Sequence, residues 1–213
     1  MRSRVVLVHG LAGSPRWWRP ILPALRDYDV RYVDPRDVLT ADADDVLIGH
    51  SLGGLRAVQY AAQRQVRKLV LVDPVGVASG RLLPFELLEM LRATTPAFFP
   101  TVAFDALRWG PRALLRHGFE ASRTRADLTR ITAPTLIVWG ERDSLVPVRL
   151  ATHWHKAIPG SRLEVIAGAR HVPMVENPSA FTEVLLDFLG DERGIGVVDG
   201  VRAARQLDEP PAR

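Results

Sequence analysis

Short apolar runs alternate with stretches of helical periodicity along most of this chain. Val5-Val6-Leu7-Val8 is continuously apolar, the pattern of a strand buried on both faces of a parallel sheet. From Pro15 to Arg26, Trp18, Ile21, Leu22 and Leu25 recur at helical spacing. Val30-Arg31-Tyr32-Val33 predicts a second strand, which Asp34-Pro35 stops. Residues 35–45 are acidic and leave room for one small crossover helix at most. Val46-Leu47-Ile48 predicts a third strand. Leu52 to Gln63 returns to the helical period, with Leu55, Val58 and Ala62 on one face and Gly53, Gly54 and Ala57 keeping the near side thin. Lys68 to Val72 is a fourth strand, ended by Asp73-Pro74.

Residues 77–130 break this rhythm. They hold helix-like pieces at Phe85 to Ala93, Pro96 to Leu107 and Pro111 to His117, and no convincing strand. Pro134 to Gly140 restores a strand, followed by a helix at Val148 to Ala157, a strand at Leu163 to Ile166 and a closing helix at Ser179 to Leu189. The expected class is α/β, with a doubly wound, mostly parallel sheet. Its core comes from residues 1–76 and 131–190, with a helical insertion at 77–130 and a charged, loosely ordered tail at 191–213.

Composition narrows the picture. The 213 residues are 47% hydrophobic and 24% charged, ordinary for one globular domain with an insertion. The chain has no cysteine, so disulfides, thiolate metal sites and a cysteine nucleophile are excluded. The net charge of +4 comes from scattered arginines, with Lys68 and Lys156 the only lysines, and no dense basic run marks a nucleic-acid partner. No apolar stretch is long enough for a signal peptide or a membrane span, so a cytoplasmic location is expected.

In such a sheet, functional loops lie beyond the C-terminal ends of the strands. Candidate residues cluster there. Gly49-His50-Ser51-Leu52-Gly53 is a G-x-S-x-G between a strand and a helix, the pattern of a nucleophile elbow. A serine hydroxyl needs a base to take its proton and a third group to orient that base. His171 follows the last strand and Asp143 the strand before it, so the chain order Ser, Asp, His suits this elbow. Asp73 also ends a strand and is a rival acid, although Asp73-Pro74 reads better as a strand cap. His9 and His50 read as local packing and hydrogen-bonding groups, since one base is enough. His153 and His155, spaced i, i+2 on a helix, face different ways and make no metal pair. His117 reads as a helix-end residue and Arg170 as solvated. Trp17 and Trp18 suit the core. Trp109, in the insertion, is the best candidate for lining a pocket.

Taken together, the chain resembles a serine hydrolase of the α/β-hydrolase fold from about residue 4 to 189. His9-Gly10 resembles that family's oxyanion loop, and Gly49 to Gly53 its elbow. Gly140-Glu141-Arg142-Asp143-Ser144-Leu145-Val146-Pro147 resembles its acid loop. His171-Val172-Pro173, followed by Glu176-Asn177-Pro178, resembles its histidine loop. The resemblance implies that residues 77–130 are a cap over the site. It implies a cofactor-free, metal-free esterase or thioesterase acting on a small apolar ester, with Ser51, His171 and Asp143 as triad and backbone N–H groups of Leu11 and Leu52 as oxyanion hole. Carbon–carbon bond hydrolysis, lactone opening or acyl transfer on the same triad, and a slow-turnover ligand-binding protein, are the alternatives. Three features depart from the family: the chain starts at the oxyanion-loop strand without the two strands that usually precede it, the crossover before Ser51 is short, and the cap is small.

Overall fold

The computed structural model of the chain describes residues 3–76, 95–124 and 127–190. Six parallel strands form one sheet: β1 (Arg4–Val8), β2 (Asp29–Val33), β3 (Val46–His50), β4 (Lys68–Val72), β5 (Thr135–Gly140) and β6 (Arg162–Ile166). Their order across the sheet is β2-β1-β3-β4-β5-β6. The direction of winding therefore reverses between β1 and β3, which pair with Val8 opposite Gly49. A reversal of this kind opens a crevice at the C-terminal strand ends, because the two connections leave on opposite faces.

Side-chain alternation divides the core into two layers. Val5, Leu7, Val46, Ile48, Val70, Val72, Leu136 and Val138 pack one face against Trp17, Trp18, Ile21, Phe181 and Leu185. Val6, Val8, Leu47, Leu69, Leu71 and Ile137 pack the other against Ala57, Val58, Ala151 and Trp154. The central strands are apolar throughout because both of their faces are covered. At one edge, β2 exposes Asp29 and Arg31, charges that discourage further strand pairing.

The helices are α1 (Leu52–Ala61), α2 (Phe99–Trp109), α3 (Pro111–Arg123), α4 (Arg149–Ala157), the single turn α5 (Pro173–Glu176) and α6 (Pro178–Gly190). Residues Pro15–Leu25 form a 3₁₀ segment rather than an α-helix. Pro20 and Pro23 inside it lack the N–H groups an α-helical ladder would use. Its spacing still buries Trp18 and Ile21 together, because i, i+3 positions share a face in both geometries, and Leu25 is buried as well. Residues 35–45 carry no helix. Tyr60 on α1 secures this short crossover by accepting the Ala41 N–H and donating to the Ala41 carbonyl. The buried Lys68 ammonium donates to the carbonyls of Phe188 and Leu189 at the end of α6, where a cation complements the helix dipole. Of the pieces expected in the insertion, Phe85 to Ala93 lies outside the described residues, as does the tail at 191–213. The last piece runs on past His117 to Arg123 as α3, so His117 is a mid-helix residue.

The elbow is packed closely against backbone. A β-carbon on Gly53 would fall inside the van der Waals radii of the Val8 and His9 carbonyl oxygens, and one on Gly49 would strike the Gly53 carbonyl. All of these obstacles are backbone, which cannot rotate aside. Gly53→Ala is therefore expected to cost roughly 3 kcal/mol of stability through overpacking. It should lower the urea midpoint with little change in the slope of the transition.

Candidate active site

Ser51 follows β3 directly and has φ 54° and ψ −115°, a conformation unusual for a residue with a β-carbon. Three backbone bonds hold it there. Its N–H donates to the Val72 carbonyl at 2.9 Å, and its own carbonyl accepts from Leu55 at 3.1 Å and Val75 at 3.3 Å. The side chain points away from the sheet and meets His171, with Ser51 Oγ 3.0 Å from His171 Nε2. On the other side of the ring, His171 Nδ1 lies 2.7 Å from Asp143 Oδ2. The remaining Asp143 oxygen accepts the N–H groups of Leu145 and Val146, each at 2.9 Å. Those bonds fix the carboxylate so that it can hold the His171 tautomer with Nδ1–H toward Asp143. All three residues are buried.

Neighbouring groups hold the histidine loop in place. His50 Nε2–H donates to the His171 carbonyl at 2.8 Å, and the Arg170 N–H donates to Glu176. Burial and the neighbouring His171 ring keep the His50 imidazole well below its ordinary pKa, so it stays neutral. His9 is likewise lowered, chiefly by burial, and donates from Nδ1 to the Gly10 carbonyl at 3.0 Å. Both histidines thus pack and hydrogen-bond locally, as expected. Asp73 does not touch the His171 ring as an orienting acid. Its Oδ1 accepts the Gly140 N–H at 2.9 Å, which ties the end of β4 to the end of β5.

The donor atoms of His50, Asp73 and His171 lie within 4.8 Å of one another. To serve a metal, His171 would have to give up Ser51 or Asp143, so the set suits the hydrogen-bond chain better than a cation. His153 and His155 sit on α4, and the His155 ring bonds Ser161.

The expected oxyanion donors come from two segments. Leu52 N–H opens α1, where the first turn of a helix leaves N–H groups free to meet negative charge. Leu11 lies in the turn after β1, and its side chain packs against Leu52, Leu55 and Trp109. Trp109 is buried at the end of α2. Its Nε1–H donates to the Gly13 carbonyl at 3.0 Å, and its ring stands edge-on to His9 and beneath the Arg36 guanidinium at 4.4 Å. One helical turn earlier, buried Asp105 accepts from Ser14 Oγ at 2.7 Å and Trp17 Nε1 at 3.0 Å. Sequence reasoning missed Asp105. Its signal was an acid on the same helical stripe as Val102 and Trp109, both buried. On the same helix Phe99, Phe104 and Leu107 are exposed.

The chain belongs to the alpha/beta hydrolase family, whose model matches residues 5–184. A pimeloyl-[acyl-carrier protein] methyl ester esterase of Neisseria meningitidis serogroup B is 26% identical over 240 residues, covering 88% of this chain and 93% of the relative. Among solved structures, a bromoperoxidase from Bacillus anthracis superposes with a TM-score of 0.74 at 20% identity, over 90% of this chain and 93% of that one. The enol-lactonase of Burkholderia xenovorans gives 0.71 at 17% identity, over 89% and 92%. At these identities the two structures establish the fold alone. No helix among the described residues is long and apolar enough to cross a membrane.

Asp105 should be a structural anchor between α2 and the loop after β1. Asp105→Ala leaves the Trp17 N–H without its acceptor, at a cost of about 2 kcal/mol. Asp105→Asn retains an acceptor oxygen and should lose less. Chemical denaturation of the three proteins, followed by tryptophan fluorescence, checks the order.

Proposed function

We propose that this chain is a serine hydrolase that cleaves a carboxylic ester or thioester through an acyl-enzyme intermediate. The observation that carries the reading is the unbroken hydrogen-bond chain from Ser51 Oγ through His171 to Asp143, at 3.0 Å and 2.7 Å, inside a buried site.

The mechanism follows from that chain. His171 Nε2 takes the Ser51 proton as Oγ bonds to the substrate carbonyl carbon. Leu11 and Leu52 N–H groups hold the oxyanion that forms. His171 then returns the proton to the departing alcohol or thiol as its bond to the acyl carbon breaks. Water repeats the sequence on the acyl-Ser51 ester, and the acid departs with Ser51 restored. Asp143 stays ionised throughout and stabilises the imidazolium.

The relative from Neisseria meningitidis carries the name of a methyl ester esterase, which supports an ester as the bond cleaved. The residues beside the elbow support a compact apolar acyl group. Leu52, Leu55 and Trp109 form one buried cluster, with Leu11, Ala113 and Leu114 packed against it.

A fluorophosphonate should label the protein once, with the adduct placed on Ser51 by mass spectrometry. Labelling at Ser14 or Ser144, or none, would overturn the assignment. Ser51→Ala should lower kcat by several orders of magnitude. Asp143→Asn should cost roughly 10³–10⁴ in kcat, because the amide favours the wrong His171 tautomer.

The pocket reading has its own test. kcat/KM on p-nitrophenyl esters should rise over the first acyl carbons, at up to about 0.8 kcal/mol per buried methylene, and then fall as the space fills. Trp109→Ala should move the optimum to longer chains. A steady rise to palmitate, with activation at a lipid interface, would indicate a lipase instead.

A further inference from the structure

His50 is the last residue of β3, one peptide bond before Ser51. Its side chain is fully buried, and no step of the mechanism uses it. Nε2 lies 2.8 Å from the His171 carbonyl oxygen. A carbonyl only accepts, so Nε2 carries the proton of the neutral ring and Nδ1 carries none. Nδ1 has no hydrogen-bond partner among the described residues. A β-carbon on Gly10 would come within 2.8 Å of it, so this edge of the ring lies against the loop after β1. Between centroids, the rings of Trp17 and Trp18 stand 5.6 Å and 6.5 Å from the imidazole, and that of His171 stands 4.9 Å away. Packing of this kind fixes the direction of the Nε2–H before any substrate arrives.

The bond to His171 closes a ring with the contact between base and nucleophile. Ser51 Oγ meets His171 Nε2 at 3.0 Å, the His171 carbonyl meets His50 Nε2 at 2.8 Å, and His50 leads back into Ser51. The end of β3 thus holds His171 twice, by its side chain and by its main chain. The two bonds have different duties. In a turnover the base carries a proton from Oγ to the departing group, so the bond to Ser51 breaks and re-forms. The bond from His50 takes no part in that transfer, and the ring turns on a main chain still tied to the strand of the nucleophile. Asp143 directs the ring from the loop after β5 and makes no such tie to β3. Burial, and then the His171 ring, keep His50 neutral, so its bond sets no positive charge against the imidazolium that His171 must become.

We propose that His50 is a positioning residue: its Nε2–H, bonded to the His171 carbonyl, ties the base to the strand that ends in the nucleophile and so keeps His171 Nε2 within reach of Ser51 Oγ. The proposal rests on the reading of Ser51 and His171 as nucleophile and base. A displacement of about 1 Å between reacting groups can lose roughly 10²-fold in rate, which sets the scale of the effect.

Two amides test it. In His50→Gln the amide nitrogen falls near the place of Nε2 and can still donate to the His171 carbonyl. In His50→Asn the same amide is one methylene shorter and does not reach it. Fluorophosphonate labelling taken to completion counts the competent sites, and kcat on p-nitrophenyl butyrate is divided by that count. Per labelled site, His50→Asn should lose about 10–100-fold in kcat with KM little changed, and His50→Gln should recover most of that loss. The rate of labelling should fall in the same order, because it uses the same attack by Ser51. Equal kcat per site in the two variants would overturn the proposal. So would a loss in His50→Asn that fewer labelled sites explain in full, which would make His50 a folding residue only. Ser51→Ala measured in parallel keeps the two readings apart. If it retains the natural kcat, the triad reading fails and this proposal with it. If it is inactive while His50→Asn turns over normally per site, only the proposal for His50 fails.

Discussion

The rest of the structure depends on a serine held where a serine does not normally sit. A residue with a β-carbon at φ 54° costs of order 1–3 kcal/mol and persists only where its surroundings over-determine it. Here Val72, Leu55 and Val75 each hold the Ser51 backbone by a hydrogen bond. The turn they enforce drives α1 across β1 so closely that Gly53 touches the Val8 and His9 carbonyls. The same closeness carries the His9–Ser14 loop to the side of the elbow, where Leu11 packs against the cluster of Leu52, Leu55 and Trp109. One strained turn thus determines the identity of residue 53, the approach of α1 and the company of the serine hydroxyl.

Burial makes the polar groups around Ser51 interdependent. A buried polar atom without a partner is costly, and a buried second charge costs more. Asp143 meets this constraint with three donors, and His50 Nε2 meets it by bonding the His171 carbonyl. Glu176, raised chiefly by its own burial, accepts the Arg170 N–H and so pins the residue before the histidine. The fold supplies these partners from four different strand ends, β3, β4, β5 and β6. A parallel sheet brings all of those ends to one side.

How much of this was legible in the sequence follows from which interactions are local. Strand positions read directly, because a strand covered on both faces must be apolar throughout, as in Val5 to Val8 and Leu136 to Trp139. Ser51, Asp143 and His171 read from local turn chemistry plus chain order, and the structure brings their side chains together. What did not read was non-local. The bond from the Gly140 N–H to the buried Asp73 carboxyl joins residues 67 positions apart, and no spacing rule carries that. The 3₁₀ geometry of Pro15–Leu25 was masked because its apolar spacing satisfies both helix types, and only the internal prolines distinguish them. The outward turn of Phe104 and Leu107 was hidden for a related reason. A helix with apolar residues around most of its circumference does not announce which face is covered.

The insertion also connects to the chemistry through its polar residues, more than through its apolar ones. Asp105 and Trp109 project from one helix, a turn apart, onto the loop that follows β1. Asp105 accepts from Ser14 and Trp17, and Trp109 donates to the Gly13 carbonyl. Gly13 in turn donates its own N–H to the Gly10 carbonyl at 3.1 Å, closing the turn that contains Leu11. The position of the Leu11 N–H is therefore set from both sides, by β1 below and by α2 above. An oxyanion donor contributes most when it is held in place before charge develops. Under the proposed role for Leu11, α2 is one of the elements that would hold that donor still, through the Trp109 bond to Gly13.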